Sequence, residues 1–259
     1  DRRGTGAEAA EEEQENATRK EKKRRVRQKD TIVSVHQPQY LPWLGYFDKI
    51  DQAEAFVLLD NVQFKKNEWQ NRNKIKTAQG WMWLTVPVLY KFPQLINEVG
   101  VNNADRWQHR QKQALLSNYR KSPFWNMLED FFEETLCLPW TLISELNIHV
   151  VKKLIGLLGI ETPVYVASEM GTFPEDPDER LIALTKHLGG DAYLAGSGGK
   201  DYMDLTKYDR AGIRVLFQDY RHPTYSQLHG AFEPCLSIVD LLYNHGPESL
   251  KILRGNGGT

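Results

Sequence analysis

Two cysteines, Cys137 and Cys235, are all that the chain has. They lie far apart, which leaves neither a metal-ligand spacing nor a disulfide framework and fits a reducing compartment. Both have apolar neighbours in sequence, so each thiol is expected in an apolar setting that raises its pKa and argues against a nucleophile. No apolar run reaches the roughly 18–20 residues of a membrane span, and the opening residues carry no signal-peptide hydrophobic segment. A soluble cytoplasmic protein is the expectation. Net charge is also scarce: 33 basic against 34 acidic residues give −1. A near-neutral total supplies no long-range field for a polyanion, so no nucleic-acid partner is expected.

Several catalytic signatures are missing as well. There is no Gly-x-Ser-x-Gly elbow of a serine hydrolase, no dinucleotide-binding Gly-x-Gly-x-x-Gly and no internal repeat. Gly196-Ser197-Gly198-Gly199-Lys200 is not a Walker A loop, because its glycine spacing is wrong and Asp201 stands where the metal-binding Ser/Thr belongs. No metal site is expected, and no cofactor or oligomeric state is assigned.

What the chain does have is concentrated in residues 31–74. A β-branched apolar stretch, 31–35, reads as a buried strand, and 40–51 places Leu41, Leu44, Phe47, Lys49 and Ile50 at near-helical spacing. His36, Gln37, Gln39 and Tyr40 therefore fall on the turn between strand and helix, where open α/β sheets bind ligands. A second apolar strand, 55–59, ends in Asp60-Asn61. It leads into a polar loop carrying Asn61, Lys65, Lys66, Trp69, Asn71, Arg72 and Lys74. Two strand-end loops this rich in donors are expected to share one crevice.

Residues 81–88 and 95–101 read as an antiparallel pair, and 103–159 as largely helical. From 163 a strand and helix rhythm resumes, with strands at 164–167, 192–195 and 213–217 and helices at 177–188 and 202–211. Such alternation implies parallel strands joined by crossover helices. The fold class expected is α/β: a mostly parallel, nucleotide-binding-like (HUP/Rossmann-like) sheet with an inserted β-hairpin and a helical insertion. One such domain is expected over 31–253. Residues 1–30 are different material, an acidic block followed by a basic one with almost nothing apolar. That composition cannot offset chain entropy and implies a disordered tail.

Two further clusters invite a binding role. The glycines around Gly198 would let an anionic group approach the backbone, with Lys200 adding charge; the alternative is a tight βα turn that needs glycine. After the last strand, Tyr225, Gln227 and His229 combine rings with amide and imidazole groups suited to a polyhydroxy ligand, or else form an ordered loop. The first strand also invites comparison with nucleotidylyltransferases, whose His-x-Gly-His it only half keeps: His36-Gln37-Pro38-Gln39 lacks the glycine and the second histidine.

The blocks HQPQYLPWLGYFDKI, VLLDNVQFKKNEWQNRNKIKT, SGGKDYMD and FEPCLSIVDLLYNHG together resemble the WbqC-like family of bacterial proteins, over about residues 31–246. The resemblance implies a biosynthetic enzyme of surface-glycan (lipopolysaccharide O-antigen) or secondary-metabolite pathways. With no metal, redox or covalent-nucleophile signature in view, it points to acyl or aminoacyl transfer from an activated donor to an amino-sugar or related amine. In that reading His36 is the catalytic base or an oxyanion partner. Lys65, Lys66, Arg72 and Lys200 hold phosphate or carboxylate, and Gln37, Gln39, Asn61, Asn71 and Tyr225 orient the acceptor. The alternatives are a nucleotidyltransferase using a nucleoside triphosphate and a non-catalytic glycan-pathway binding protein.

Overall fold

The apolar stretches of the sequence become five short strands: β1 (Ile32–His36), β2 (Ala55–Leu58), β7 (Val164–Val166), β8 (Ala192–Ala195) and β9 (Arg214–Phe217). They are seen in a computed structural model that describes residues 30–255. The strands form one sheet in the order β7-β2-β1-β8-β9, and every neighbouring pair is parallel. The chain thus fills one side of β1 first and then returns to fill the other. The reversal falls between β1 and β8, the topological switch point at which the strand ends of a doubly wound sheet leave a crevice.

Helices cover both faces because each strand alternates its side chains between them. Val33 and Val35 of β1, with Ala55 and Val57 of β2, enter a core completed by Ile182, Leu184, Tyr208 and Ile213. These last four belong to or adjoin α5 (Pro177–His187) and α6 (Leu205–Ala211). Phe56 and Leu58 of β2 face the other way, into a larger core with Leu44, Phe47 and Ile50. Those three sit on α1 (Leu44–Asp51), the helix that joins β1 to β2. Each such side chain, fully buried, contributes roughly 1.5–3 kcal/mol. Ser34 is the polar exception inside β1: it is fully buried, and its hydroxyl donates to the Leu194 carbonyl at 2.8 Å.

The crossover from β2 to β7 carries the insertions. First comes a hairpin of β3 (Arg72–Thr77) and β4 (Gly80–Thr85), then a two-residue pair of β5 (Val88–Leu89) and β6 (Gly100–Val101). Three helices follow: α2 (Trp107–Tyr119), α3 (Glu129–Cys137) and α4 (Ile143–Leu158). After β9 the chain runs without regular structure to α7 (Ile238–His245) and α8 (Ser249–Leu253). The expected α/β class and its two insertions are therefore present, but the expected pairing of 81–88 with 95–101 survives only in β5 and β6, because β4 pairs with β3 instead. Residues 72–77 are a strand, paired from Arg72↔Thr85 to Thr77↔Gly80, and not part of a polar loop. The turn closes through Gly80, whose φ of +116° is open to glycine at no steric cost. The stretch RNKIKT reads as loop because five of its six residues are polar, yet Asn73, Lys76 and Thr77 are buried in the folded chain. The expected tail, 1–30, lies outside the described residues but for Asp30.

Gly190 sits where α5 turns into β8, and a Cβ there would stand 2.6 Å from Val33 Cγ2 and 3.0 Å from the Thr185 carbonyl. Gly190→Ala should cost about 1–3 kcal/mol by overpacking in urea denaturation. Gly196→Ala, with nothing within 4 Å of the added carbon, should leave the midpoint nearly unchanged.

Candidate functional site

At the switch point the carboxyl ends of β1 and β8 line a cavity of about 300 Å³. Val35, His36 and Gln37 come from the first strand end, Tyr193, Ala195 and Gly196 from the other, and Lys49 from α1. A second cavity of about 250 Å³ shares His36 and Gln37 and adds Gln39, Lys65, Glu68, Trp69 and Gln70. His36 and Gln37 thus stand between two chambers of one crevice.

The loops that form it are held by amides. Gln70 Nε2 donates to Gln37 Oε1 at 2.6 Å, and Gln70 Oε1 accepts from the Lys65 backbone N–H at 2.8 Å. Asn147, fully buried on α4, donates through Nδ2 to the Pro38 carbonyl at 3.2 Å and the Gln70 carbonyl at 2.7 Å. The Tyr40 N–H donates to the Trp69 carbonyl at 3.1 Å. A helix nearly a hundred residues downstream therefore fixes both strand-end loops. With Gln37 Oε1 engaged, the amide nitrogen of Gln37 makes no protein hydrogen bond among the described residues. Gln39 is 7% exposed, and its Oε1 has no hydrogen-bond partner among the described residues. A buried, unpartnered amide oxygen that lines a cavity is a group waiting for a donor.

His36 packs its ring edge-on to Tyr46, 4.9 Å between centroids. Its Nδ1 lies 3.1 Å from the Gln37 carbonyl. A carbonyl only accepts, so Nδ1 carries the hydrogen and Nε2 is left as an acceptor. Burial, then the positive charge of Lys49, lower its pKa to about 3. His36 is therefore neutral throughout the physiological range. So weak a base is a poor proton acceptor at neutral pH, and the tautomer leaves no hydrogen on Nε2 to donate to an oxyanion.

Lys49 is the residue that sequence reading missed, because it falls in register with apolar neighbours. It is 4% exposed, and its Nζ donates to the Val35 carbonyl at 2.9 Å. Loss of hydration lowers its pKa to about 7. No carboxylate pairs with it among the described residues. A buried amine poised near neutrality in a cavity is the kind of group that exchanges protons with a substrate. The one signal in the sequence was a cation inside an apolar stripe.

Other expected site residues are placed elsewhere or spent on structure. Tyr40 is fully buried, its hydroxyl donating to Gln111 Oε1 at 2.6 Å. Asn71 is 3% exposed and holds the Val86 carbonyl at 3.0 Å. Arg72 lies on β3, bonded to the Asn67 carbonyl, with its guanidinium 4.2 Å from the Trp83 ring centroid. Asn61, whose buried Oδ1 has no partner among the described residues, and the exposed Lys66 line neither cavity. Gly198 lies in a single 3-10 turn, Ser197–Asp201, beside the first cavity, to which that loop contributes Gly196 instead. Lys200 is exposed, its Nζ 5.2 Å from the Phe217 ring. The glycine that packing demands is Gly199, where a Cβ would meet Met203 Sδ at 2.8 Å and Ala195 Cβ at 3.1 Å.

The third cluster gathers around Asp240 on α7, which is fully buried. Tyr225 donates to Asp240 Oδ2 at 3.0 Å, Gln227 Nε2 to the same oxygen at 2.9 Å, and Tyr119 to Oδ1 at 2.8 Å. His229 Nε2 lies 2.8 Å from the Asn118 carbonyl. None of Tyr225, Gln227 and His229 lines a cavity with His36. The thiols also differ from expectation: both are exposed. Cys137 is raised in pKa because it donates to the Glu133 carboxylate, with burial second.

The pKa of Lys49 has a stability consequence. Between about pH 7 and the ordinary lysine value, the unfolded chain holds a proton that the folded chain has shed, so stability rises with pH across that window. Below it the cost of a buried charge is fully present. Thermal melts from roughly pH 6 to pH 9 should show wild-type Tm climbing relative to Lys49→Met, with the variant the more stable at the acid end. Parallel curves would show that Lys49 titrates normally.

The family profile described as "WbqC-like protein family" matches residues 37–252. "Uncharacterized protein Rv1507c" of Mycobacterium tuberculosis (strain ATCC 25618 / H37Rv) is 35% identical over 226 residues, covering 86% of this chain and 97% of that protein. No solved structure matches the chain significantly. Among the described residues no helix is long and apolar enough to cross a membrane.

Proposed function

The chain belongs to the WbqC-like protein family, and from that footing we propose that its switch-point crevice catalyses acyl or aminoacyl transfer to an amine, such as an amino-sugar, in surface-glycan or secondary-metabolite biosynthesis. The observation that carries this reading is that Lys49, a buried amine with no carboxylate partner among the described residues, and His36, a ring whose open nitrogen only accepts, line one cavity. An attacking amine donates hydrogen bonds and must lose a proton as its nitrogen bonds to the carbonyl carbon. His36 Nε2 and Gln39 Oε1 are acceptors that orient its N–H groups. Lys49 takes the proton. The amide nitrogen of Gln37 is a donor for the carbonyl oxygen as charge develops there, and Lys65 neutralises an anionic donor group at the chamber wall. The leaving group departs with the electron pair of the broken acyl bond.

The test is amide formation followed by mass spectrometry, with acetyl-CoA or an aminoacyl thioester as donor and glucosamine as acceptor. Lys49→Met should lower the rate roughly 10²–10⁴-fold, the usual worth of acid–base catalysis. The wild-type rate should rise with pH through about 7, as Lys49 loses its proton. His36→Gln keeps an acceptor and should cost less than His36→Ala. Tight ATP binding with magnesium and no amide product would favour nucleotidyl transfer instead. Acceptor binding without turnover under any donor would make this a binding protein.

A further inference from the structure

The β3–β4 hairpin carries a second feature that the crevice chemistry does not use. Its register sets Lys74 opposite Trp83 and Lys76 opposite Trp81. Lys74 Nζ lies 4.1 Å from the Trp81 ring centroid and 5.4 Å from that of Trp83, and the Arg72 guanidinium lies over Trp83. Trp69, from the loop before β3, meets Trp83 at 5.7 Å, and Trp83 meets Trp81 at 5.5 Å. Three indoles therefore run in an unbroken chain. Its two ends keep open area, with Trp69 38% and Trp81 41% exposed. Neither Arg72 nor Lys74 pairs with a carboxylate among the described residues. A contiguous apolar patch interleaved with unpaired cations marks a binding surface.

The patch is continuous with the crevice, because Trp69 also lines the chamber that holds His36 and Gln39. We propose that the hairpin face is an acceptor subsite for an anionic oligosaccharide. Its sugar rings pack on Trp69 and Trp81, its carboxylates or phosphates pair with Arg72 and Lys74, and its reacting end enters at His36. This rests on the group-transfer reading of the crevice and makes the acceptor an extended chain instead of a free monosaccharide. Indoles suit the apolar C–H faces of sugar rings, and the cations supply charge complementarity. A single-stranded nucleic acid fits less well. Its bases stack in parallel, whereas Trp69 and Trp83 are tilted by 49° and Trp83 and Trp81 by 81°. The chain's net charge of −1 adds no field to draw in a polyanion of that density.

Isothermal titration of the full chain with an oligogalacturonate, a neutral cello-oligosaccharide of equal length, oligo(dT) and phosphatidylglycerol vesicles tests this. Oligogalacturonate should bind more tightly than the neutral oligomer, and Trp81→Ala and Lys74→Gln should each weaken it about tenfold. Both side chains are on the surface of the hairpin, so the folded state should persist, as circular dichroism can check. Absence of oligogalacturonate binding overturns the proposal. So does tighter binding of oligo(dT) or vesicles that depends on Trp81, or a concentration-dependent dimer that Trp81→Ala dissolves. Binding is read here without turnover. If oligogalacturonate binds through Trp81 while no amide forms, the hairpin site stands and the crevice chemistry fails. If amide forms on glucosamine while oligogalacturonate does not bind, the hairpin proposal fails alone.

Discussion

The carboxamide of Asn147 is the point on which the crevice depends. It sits fully buried on α4 and holds the Pro38 and Gln70 carbonyls, one from each strand-end loop. A loop that enters a protein interior carries backbone groups that water can no longer satisfy, and each orphan costs about 1–3 kcal/mol. Asn147 answers two of them with one side chain, and Gln70 then carries the constraint on to Gln37 and Lys65. This gives the helical insertion a purpose: it is the far wall that lets two polar loops pack where a bare sheet would leave them solvated.

Electrostatics in the crevice follow from exclusion of water more than from paired charges. Lys49 meets a carbonyl and no carboxylate, so its charged form loses hydration and gains only one hydrogen bond in return. The same lack of water, and then the residual charge of Lys49, keep His36 neutral. Two groups that titrate more than three units apart in free solution, near 6.5 and 10.5, are both moved downward. The outcome is a neutral acceptor beside a near-neutral amine. By contrast the Asp240 cluster spends its polar groups on one another, since three donors converge on a single buried carboxylate. Such a network specifies packing.

Trp residues divide in the same way. Trp107 is fully buried in the helical insertion, whereas Trp69 and Trp81 stay at the surface beside Arg72 and Lys74. Composition cannot separate these two uses; only the neighbours can.

Much of the fold was legible from local pattern. The apolar stretches at 31–35, 55–59, 192–195 and 213–217, with helices between, imposed parallel strands, and the switch point followed from their connectivity. His36, Gln37 and Gln39 could be placed at the crevice because they end or directly follow the first strand. The hairpin strand 72–77 was not legible, since its alternation lies under polar residues whose partner strand decides their environment. Nor could the sequence reveal that Lys49 titrates near neutrality, that Tyr40 and Asn71 are interior, or that Tyr225 and Gln227 serve Asp240. Periodicity is a property of neighbours along the chain, and it determines which elements form. Burial, desolvation and hydrogen-bond partners are set by residues far off in the chain, 160 positions for Ser34 and Leu194, so only the tertiary structure decides which polar side chains remain free to act.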